Sequence, residues 1–203
     1  MYSLRRHLGL GLVALCLSSA EFASAATIGF DRDAIDVEVG SQVAVDIVGS
    51  AFDAGSAGGG LNLSWDPAVL SIAALGDVEL LFPGDVFVFD KGTLDAAAGT
   101  LTNLTTNRFF GVPDAAFTIA RITFTAVGAG ATSLDLALGS FPQGGSNVWT
   151  TGAGAEISNL TFETASVTAL APVPLPPAAA LFAGAIALLG LRRPRDARVG
   201  ARD

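Results

Sequence analysis

Apolar residues recur at every second position through much of the stretch between residues 27 and 171, and this alternation constrains the fold more than any other feature. A period of two places the apolar side chains of a strand on one face, whereas a helix needs a period of 3.6. No window of a dozen residues in this stretch has a helical stripe. The alternating segments are 35–39, 43–47, 61–65, 120–126 and 134–138, with a last strand expected within 160–167. The sequence therefore predicts an all-β domain.

Glycine-containing turns separate these segments at spacings near ten residues. Gly40-Ser41 is a tight turn between the first two segments, and Gly128-Ala129-Gly130 precedes the segment 134–138. Short alternating strands with this punctuation are typical of an antiparallel β-sandwich, in which one face of each strand is buried and the other stays in water. The glycines lack the spacing of a phosphate-binding loop, because no glycine stands at the required position upstream of Lys91.

The charge and composition of residues 26–171 exclude several function classes. This stretch has four basic and sixteen acidic residues, which gives a net charge near −12. Nucleic acid and anionic lipid are therefore poor partners. The stretch contains no cysteine, histidine, tyrosine or methionine. Disulfides, thiol catalysis, histidine-based triads and zinc sites with the usual ligands are thereby excluded, and no cofactor is expected.

The two tryptophans of the domain have different sequence contexts. Trp65 lies on the same strand face as Leu61 and Leu63, which predicts a core position, and the following Asp66-Pro67 predicts a corner that ends the strand. Trp149 lies between two glycine clusters. Two interpretations of Trp149 are open: an exposed ring that stacks on a sugar, or a plug that closes a loop over the core.

Four acids crowd the start of the domain, at Asp31, Asp33, Asp36 and Glu38. Carboxylates at this density could bind calcium, but the spacing lacks the glycine and the terminal bidentate acid of a calcium loop. A solvated acidic strand edge is the favoured interpretation, since charge on an edge discourages pairing with other chains. No metal site is expected.

The N-terminus has the three parts of a secretory signal peptide. Arg5, Arg6 and His7 form a positive start, residues 8–17 are apolar, and Ala23-Ser24-Ala25 places alanine at the two positions that signal peptidase reads. We expect residues 1–25 to be a signal peptide cleaved after Ala25. The exported domain is then residues 26–171.

The C-terminus combines a proline block, an apolar stretch and a basic cluster. Residues 172–177 cannot form a helix interior because of their prolines. The apolar residues 178–191 are followed by Arg192, Arg193 and Arg195, which would stay on the cytoplasmic side of a bilayer. As a helix this stretch spans roughly 21 Å, short of the roughly 30 Å hydrocarbon core. A processed sorting tag over residues 172–195, with a cytoplasmic tail at 196–203, is favoured over a permanent transmembrane anchor.

This tail resembles the PEP-CTERM class of sorting signals of Gram-negative bacteria, in the variant that reads Val-Pro-Leu-Pro-Ala. Val173, Pro174, Leu175 and Pro176 match the variant, and Pro177 stands in place of its alanine. The resemblance implies recognition by a membrane protease of the exosortase type. It also implies a precursor that is anchored in the inner membrane with a periplasmic domain, followed by release or retention at the cell surface.

The domain itself resembles the cohesin family. The resemblance is carried by the run Gly-Leu-Asn-Leu-Ser-Trp-Asp-Pro-Ala-Val-Leu at 60–70 and by the later pair of segments at 119–124 and 133–136. Cohesins are nine-stranded jelly rolls that bind dockerin domains, and their fold is related to that of some carbohydrate-binding modules. The resemblance therefore implies an antiparallel jelly-roll sandwich with a dockerin-like or polysaccharide partner.

Two function classes remain open from the sequence. The first is a non-catalytic exported module that binds a protein or a polysaccharide, and it is the favoured one. The second is a small polysaccharide hydrolase that uses two carboxylates, because glycoside cleavage needs no histidine. Such an enzyme usually has a cleft lined with several sugar-stacking aromatics, whereas residues 26–171 have two tryptophans and no tyrosine.

Overall fold

A computed structural model describes residues 25–52, 55–83, 88–112, 115–140 and 148–172, together with Phe182, Ile186 and Ala187. These residues form two β-sheets that face each other across a shared apolar core. The thirteen strands of the described residues are β1 Thr27–Phe30, β2 Ala34–Glu38, β3 Gln42–Ser50, β4 Ser56–Ser64, β5 Leu70–Ser71, β6 Val78–Leu80, β7 Val88–Asp90, β8 Thr93–Asp95, β9 Thr100–Val112, β10 Phe117–Ala126, β11 Gly130–Gly139, β12 Thr161–Phe162 and β13 Ala165–Leu170. A short 3-10 turn, Leu75–Asp77, precedes β6.

One sheet has six strands and the other has seven. The six-stranded sheet runs β12-β1-β3-β10, and β5 and β6 both pair with the far side of β10. The seven-stranded sheet runs β2-β13-β11-β4-β9, and β7 and β8 both pair with the far side of β9. The all-β sandwich expected from the alternation is therefore confirmed.

The pairing differs from a purely antiparallel sandwich at two places. β1 pairs in parallel with β12, and β2 pairs in parallel with β13. The turn at 39–41 connects β2 to β3, but these two strands belong to different sheets and do not form a hairpin. The first and last strands of the domain thus lie side by side, which the local alternation could not reveal.

The predicted inner faces form the core. The alternating residues of β10, which are Ala120, Ile122, Phe124 and Ala126, are all buried. Trp65 is 5% exposed, donates from its indole nitrogen Nε1 to the carbonyl oxygen of Leu70 at 3.0 Å, and packs edge-on against Phe124 at 5.5 Å. The core position predicted for Trp65 is confirmed.

Two details of the strands depart from the sequence expectation. The strict alternation stops at the end of β11, where Ala137 and Leu138 are both exposed. Leu138, which the alternation placed on the inner face, is 39% exposed. β9 is the longest strand of the described residues, yet its Thr-Leu-Thr-Asn-Leu-Thr-Thr sequence lacks the period of two. The physical reason is a bulge in this strand, described below.

The predicted signal peptide and most of the sorting tag lie outside the described residues. This applies to Ala23, to Val173, Pro174, Leu175, Pro176 and Pro177, and to Arg192, Arg193 and Arg195. Within the apolar stretch, Phe182, Ile186 and Ala187 are helical and exposed. The part of the chain that the structure describes includes no helix long and apolar enough to cross a membrane.

Candidate functional site

The outer surface of the seven-stranded sheet, which we call the polar face, is covered by short side chains. Every second residue of each strand points outward, as expected for strands with one buried side. The outward residues are Ala34, Asp36 and Glu38 of β2, Ser166, Thr168 and Leu170 of β13, Ala131, Ser133, Asp135 and Ala137 of β11, Asn62 and Ser64 of β4, Thr100 and Thr102 of β9, and Thr93 and Asp95 of β8. None of these side chains is basic or aromatic.

The register of the sheet aligns the polar side chains in rows across the strands. Asp135 is opposite Ser64, Ser64 is opposite Thr100, and Thr100 is opposite Asp95. This row has a carboxylate at each end and two hydroxyl groups between them. Because neighbouring strands lie about 4.8 Å apart, the two carboxylates are separated by roughly 14 Å.

This separation bears on the hydrolase alternative. The two carboxyl groups of a glycosidase lie about 5 to 10 Å apart, on either side of the bond that is cleaved. Asp95 and Asp135 exceed that range by several ångströms. The row lies on the outer surface of the sheet and crosses four of its strands. The arrangement is therefore suited to contact with a partner surface and not to bond cleavage between these two acids.

Two asparagines stabilise the centre of the polar face. Asn62 accepts a hydrogen bond from the backbone N–H of Asn103 at 2.8 Å and donates from Nδ2 to the carbonyl oxygen of Leu138 at 3.0 Å. Asn103 accepts a further bond from the backbone N–H of Ser140 at 2.9 Å. The two side chains therefore join β9, β4 and the end of β11 across the outer surface.

The asparagines lie at the bulge that disrupts the alternation of β9. Leu104 is opposite Leu61, and Leu101 is opposite Leu63, so three residue steps on β9 match two on β4. Asn103 has a φ of 60°, in the left-handed region that asparagine tolerates better than most residues. The bulge frees a backbone N–H, and the Asn62 side chain binds it. Asn62 and Asn103 are thus positioned by the strand irregularity itself.

The structure shows Trp149 in the core, so its interpretation as a sugar-stacking ring is wrong. The ring is 1% exposed, and its Nε1 donates to the carbonyl oxygen of Gly60 at 3.2 Å. It packs against Phe52 and Phe82 at centroid distances of 6.0 and 6.3 Å. The physical reason is Gly59, which leaves an empty site on β4 where the indole lies. Trp149 therefore has the alternative role, a plug between the sheets.

The early acids are exposed, as expected for a solvated edge. Asp33, Asp36 and Glu38 lie at the surface beside or on β2, which is the edge strand of its sheet. Asp31 accepts a hydrogen bond from the backbone N–H of Asp46 at 2.9 Å, which is a structural role. Among the described residues there is no group of three or more acidic, histidine or cysteine side chains that could bind a metal ion.

The opposite outer surface, on the six-stranded sheet, has a different character. Arg121 of β10 and Asp46 of β3 form a two-pronged ion pair, with Nε–Oδ1 and Nη2–Oδ2 distances of 2.7 and 2.9 Å. The hydrogen bond from Arg121 lowers the pKa of Asp46 below its ordinary value, and the positive charges of Arg121 and Arg32 act in the same direction. Charged groups on this surface thus neutralise each other.

The basic residues of the domain are engaged with their own chain. Lys91 donates to the carbonyl oxygen of Leu75 at 2.9 Å, and Arg108 donates to that of Pro83 at 3.4 Å. Arg32 contacts Asp31 and the carbonyl oxygen of Ala44. None of these bases lies on the polar face, so no described basic side chain there is paired with Asp36, Asp95 or Asp135. The face is suited to a partner that presents positive charge.

The alternation predicts the inner residues and a wet outer side for each strand, but it does not show which outer residues of different strands lie side by side. The one available signal was the strand pattern itself, since Asn62 and Ser64 alternate with the predicted inner residues of β4. The pairing of these residues with Asp135 and Thr100 depends on strand order, which a local pattern does not contain.

No protein-family model and no curated protein matches this chain. Solved structures do match. The seventh ScaB type I cohesin of Pseudobacteroides cellulosolvens is 18% identical over 75% of this chain and 96% of its own, with a TM-score of 0.54. The sixth cohesin of scaffoldin B from Acetivibrio cellulolyticus, solved with a Cel5 dockerin, is 12% identical over 72% of this chain and 100% of its own, also with a TM-score of 0.54.

A third similar structure is the cohesin of a type I cohesin–dockerin complex from Clostridium thermocellum. It is 10% identical over 72% of this chain and 100% of its own, with a TM-score of 0.53. At these identities the likeness concerns the backbone architecture alone. The described body of this chain therefore has the cohesin fold, as the sequence resemblance implied.

Proposed function

We propose that this chain is a non-catalytic, exported binding module that engages a dockerin-like protein partner through the polar face. The observation that carries the proposal is the face itself, which has exposed carboxylates and no basic side chain among its described outward residues. Three of its strands are the long strands β4, β9 and β11, which are paired side by side. The cohesin fold is consistent with this, since two of the similar cohesins were solved in complex with dockerins.

A polysaccharide is the other partner that the fold and the hydroxyl groups allow. Protein surfaces that bind sugars usually place aromatic rings against the sugar faces, and none is present among the outward side chains that the structure describes on the polar face. The two tryptophans are both in the core. These observations favour a protein partner. No observation favours the hydrolase alternative.

The binding proposal is tested by capture from the producing cell's envelope and exopolymer, with the mature protein as bait and a glycan panel in parallel. The variant Thr100→Arg places a long cation in the row of the polar face between Ser64 and Asp95, while the control Thr123→Arg makes the same change on the outer surface of β10. We expect Thr100→Arg to weaken capture of a protein partner at least tenfold and Thr123→Arg to leave it unchanged. Equal capture by both variants would contradict the proposed face.

We also propose that both ends of the chain are processed during export. Signal peptidase would cleave after Ala25, and an exosortase-type protease would cleave within the tail segment 173–177, with the precursor held in the inner membrane until then. Two features of the folded body support this. It begins at Ala26, whose carbonyl oxygen accepts a bond from the Thr161 N–H at 2.8 Å, and its last strand ends at Leu170.

Mass spectrometry of the protein from its native host tests the processing proposal. We expect a mature species that begins at Ala26 and lacks residues 178–191. A mature protein that keeps the apolar stretch would indicate a permanent anchor instead.

A further inference from the structure

The chain leaves the folded body at one end of the sandwich, which we call the tail end. The tail end consists of the 39–41 turn, the 65–69 corner, the 127–130 turn and the last residue of β13. Hydrogen bonds connect these pieces. The N–H of Val39 donates to the carbonyl oxygen of Leu170 at 3.0 Å, and the N–H of Gly40 donates to that of Ala126 at 2.8 Å. The N–H of Val127 donates to the carbonyl oxygen of Val69 at 2.8 Å.

The tail end is also where exposed apolar side chains gather. In the described folded body, residues 25–172, three large apolar side chains are exposed, namely Val127 at 49%, Leu170 at 46% and Leu138 at 39%. Two of the three lie at the tail end. Ala68, Ala129 and Ala171 are exposed there as well. On an exported, strongly acidic domain, large apolar side chains exposed at one end indicate a contact site.

The distance to the proline motif identifies what covers this surface. Only Ala171 and Pro172 stand between Leu170 and Val173, so the motif begins at most about 11 Å from the end of β13. A protein that holds the motif in a groove needs walls around it, and one helix with its side chains is already about 10 to 12 Å across. A protein that encloses Val173, the first residue of the motif, is therefore within reach of the tail end of the folded body.

We propose that the tail end is a docking surface for the membrane protein that binds the 173–177 motif, with Val127 and Leu170 as its apolar contacts. This inference rests on the proposed processing of the tail. It adds that recognition includes the folded body as well as the linear motif. A lipid surface is a less suitable occupant, because the exposed carboxylates of Glu38 and Asp66 flank the tail end and anionic headgroups would repel them.

The test follows cleavage of the full chain in its native host by pulse-chase and mass spectrometry. Val127→Asp and, independently, Ala129→Asp place a charge on the tail end at exposed positions where folding tolerates it, and thermal unfolding of the purified proteins checks this. Leu138→Asp is the matched control, because it changes an equally exposed apolar side chain away from the tail end. We expect both tail-end variants to be cleaved at least fivefold more slowly than the native chain and the control at the native rate.

The native chain and Val127→Asp, each with an added spacer, separate docking on the tail end from steric hindrance by the folded body. A flexible Gly-Ser spacer of about ten residues between Pro172 and Val173 lets the motif bind without the folded body. With the spacer, we expect Val127→Asp to have no effect on the cleavage rate. Two results would overturn docking while leaving processing intact. One is a slower cleavage of Val127→Asp that persists when the spacer is present. The other is cleavage of the tail-end variants, without the spacer, at the same rate as Leu138→Asp.

Two further outcomes complete the test. If the native chain itself is not cleaved, the processing proposal fails and the docking surface fails with it. If the mature protein floats with vesicles of phosphatidylethanolamine and phosphatidylglycerol, and Val127→Asp abolishes flotation, the occupant is a lipid surface and the protein partner is overturned.

Discussion

Single residues determine how side chains pack at the centre of this sandwich. Gly59 is the clearest example, because the Trp149 indole lies where a side chain would be: an added Cβ would be 2.5 Å from Cδ1 of the ring. The glycine and the tryptophan are ninety residues apart in sequence and meet only in the folded state. The sequence shows both residues but not their contact, which is why the two interpretations of Trp149 could not be separated beforehand.

Gly59→Ala is expected to destabilise the protein by about 1 to 3 kcal/mol, since an extra methyl group in a filled core forces its neighbours to move. Gly76→Ala is the control, because an added Cβ at that position meets nothing within 4 Å. Urea unfolding followed by tryptophan fluorescence measures both. Equal stability of the two variants would show that the indole can move aside without cost.

The Asp46–Arg121 ion pair makes stability depend on pH in a defined direction. Because the pKa of Asp46 is lowered in the folded protein, the ionised carboxylate favours folding above the ordinary aspartate pKa. This contribution is lost as the pH falls through the lowered value. Asp46→Asn is therefore expected to be less stable than the native protein at neutral pH and equally stable in strong acid. Thermal unfolding from pH 7 to pH 2 measures the difference, with Glu156→Gln as a surface control.

At the scale of strands, the bulge in β9 shapes both the core and the polar face. Three residue steps from Leu101 to Leu104 match two steps on β4, so both leucines stay buried although they break the period of two. Pattern reasoning fails at such a site because it assumes one residue per step on both strands. The same irregularity brings Asn103 next to Asn62 and joins three strands on the outer surface.

Asn62→Ala is expected to destabilise the protein by about 1 to 2 kcal/mol, because the N–H of Asn103 and the carbonyl of Leu138 each lose a partner in a half-buried setting. Asn62→Asp keeps an acceptor for the Asn103 N–H but places a carboxylate oxygen against the Leu138 carbonyl, so it should lose stability while still protecting the Asn103 N–H. Amide hydrogen exchange at Asn103 distinguishes the two variants. Faster exchange in Asn62→Ala alone supports the bridging role.

At the scale of the whole molecule, the last strand completes the seven-stranded sheet. β13 lies between β2 and β11, with one parallel and one antiparallel neighbour. Its inward residues Ala165, Val167 and Ala169 are all at most 3% exposed. The strand that adjoins the proline motif is therefore an interior strand of the sheet, and the fold is complete only two residues before the motif begins.

A chain that ends after Glu163 is expected to lose at least about 3 kcal/mol of stability relative to one that ends after Pro172, because burial of Val167 and the two alanines is lost along with two rows of backbone hydrogen bonds. The chain ending after Pro172 should match the mature protein, since it keeps all of β13. Urea unfolding of both truncated proteins provides the comparison. Equal midpoints would show that β13 is dispensable.

The sequence by itself determined the fold class and the inner faces of most strands, because a period of two in apolar residues has one structural solution when one side of a sheet is buried. It also determined the excess of negative charge and the absence of cysteine, histidine, tyrosine and methionine from residues 26–171. The tertiary structure decided the rest: the parallel pairing of the first strands with the last, the burial of Trp149 against Gly59, the rows of the polar face and the apolar tail end. Each of these depends on which distant segments lie side by side, and contacts between distant segments leave no local pattern in the chain.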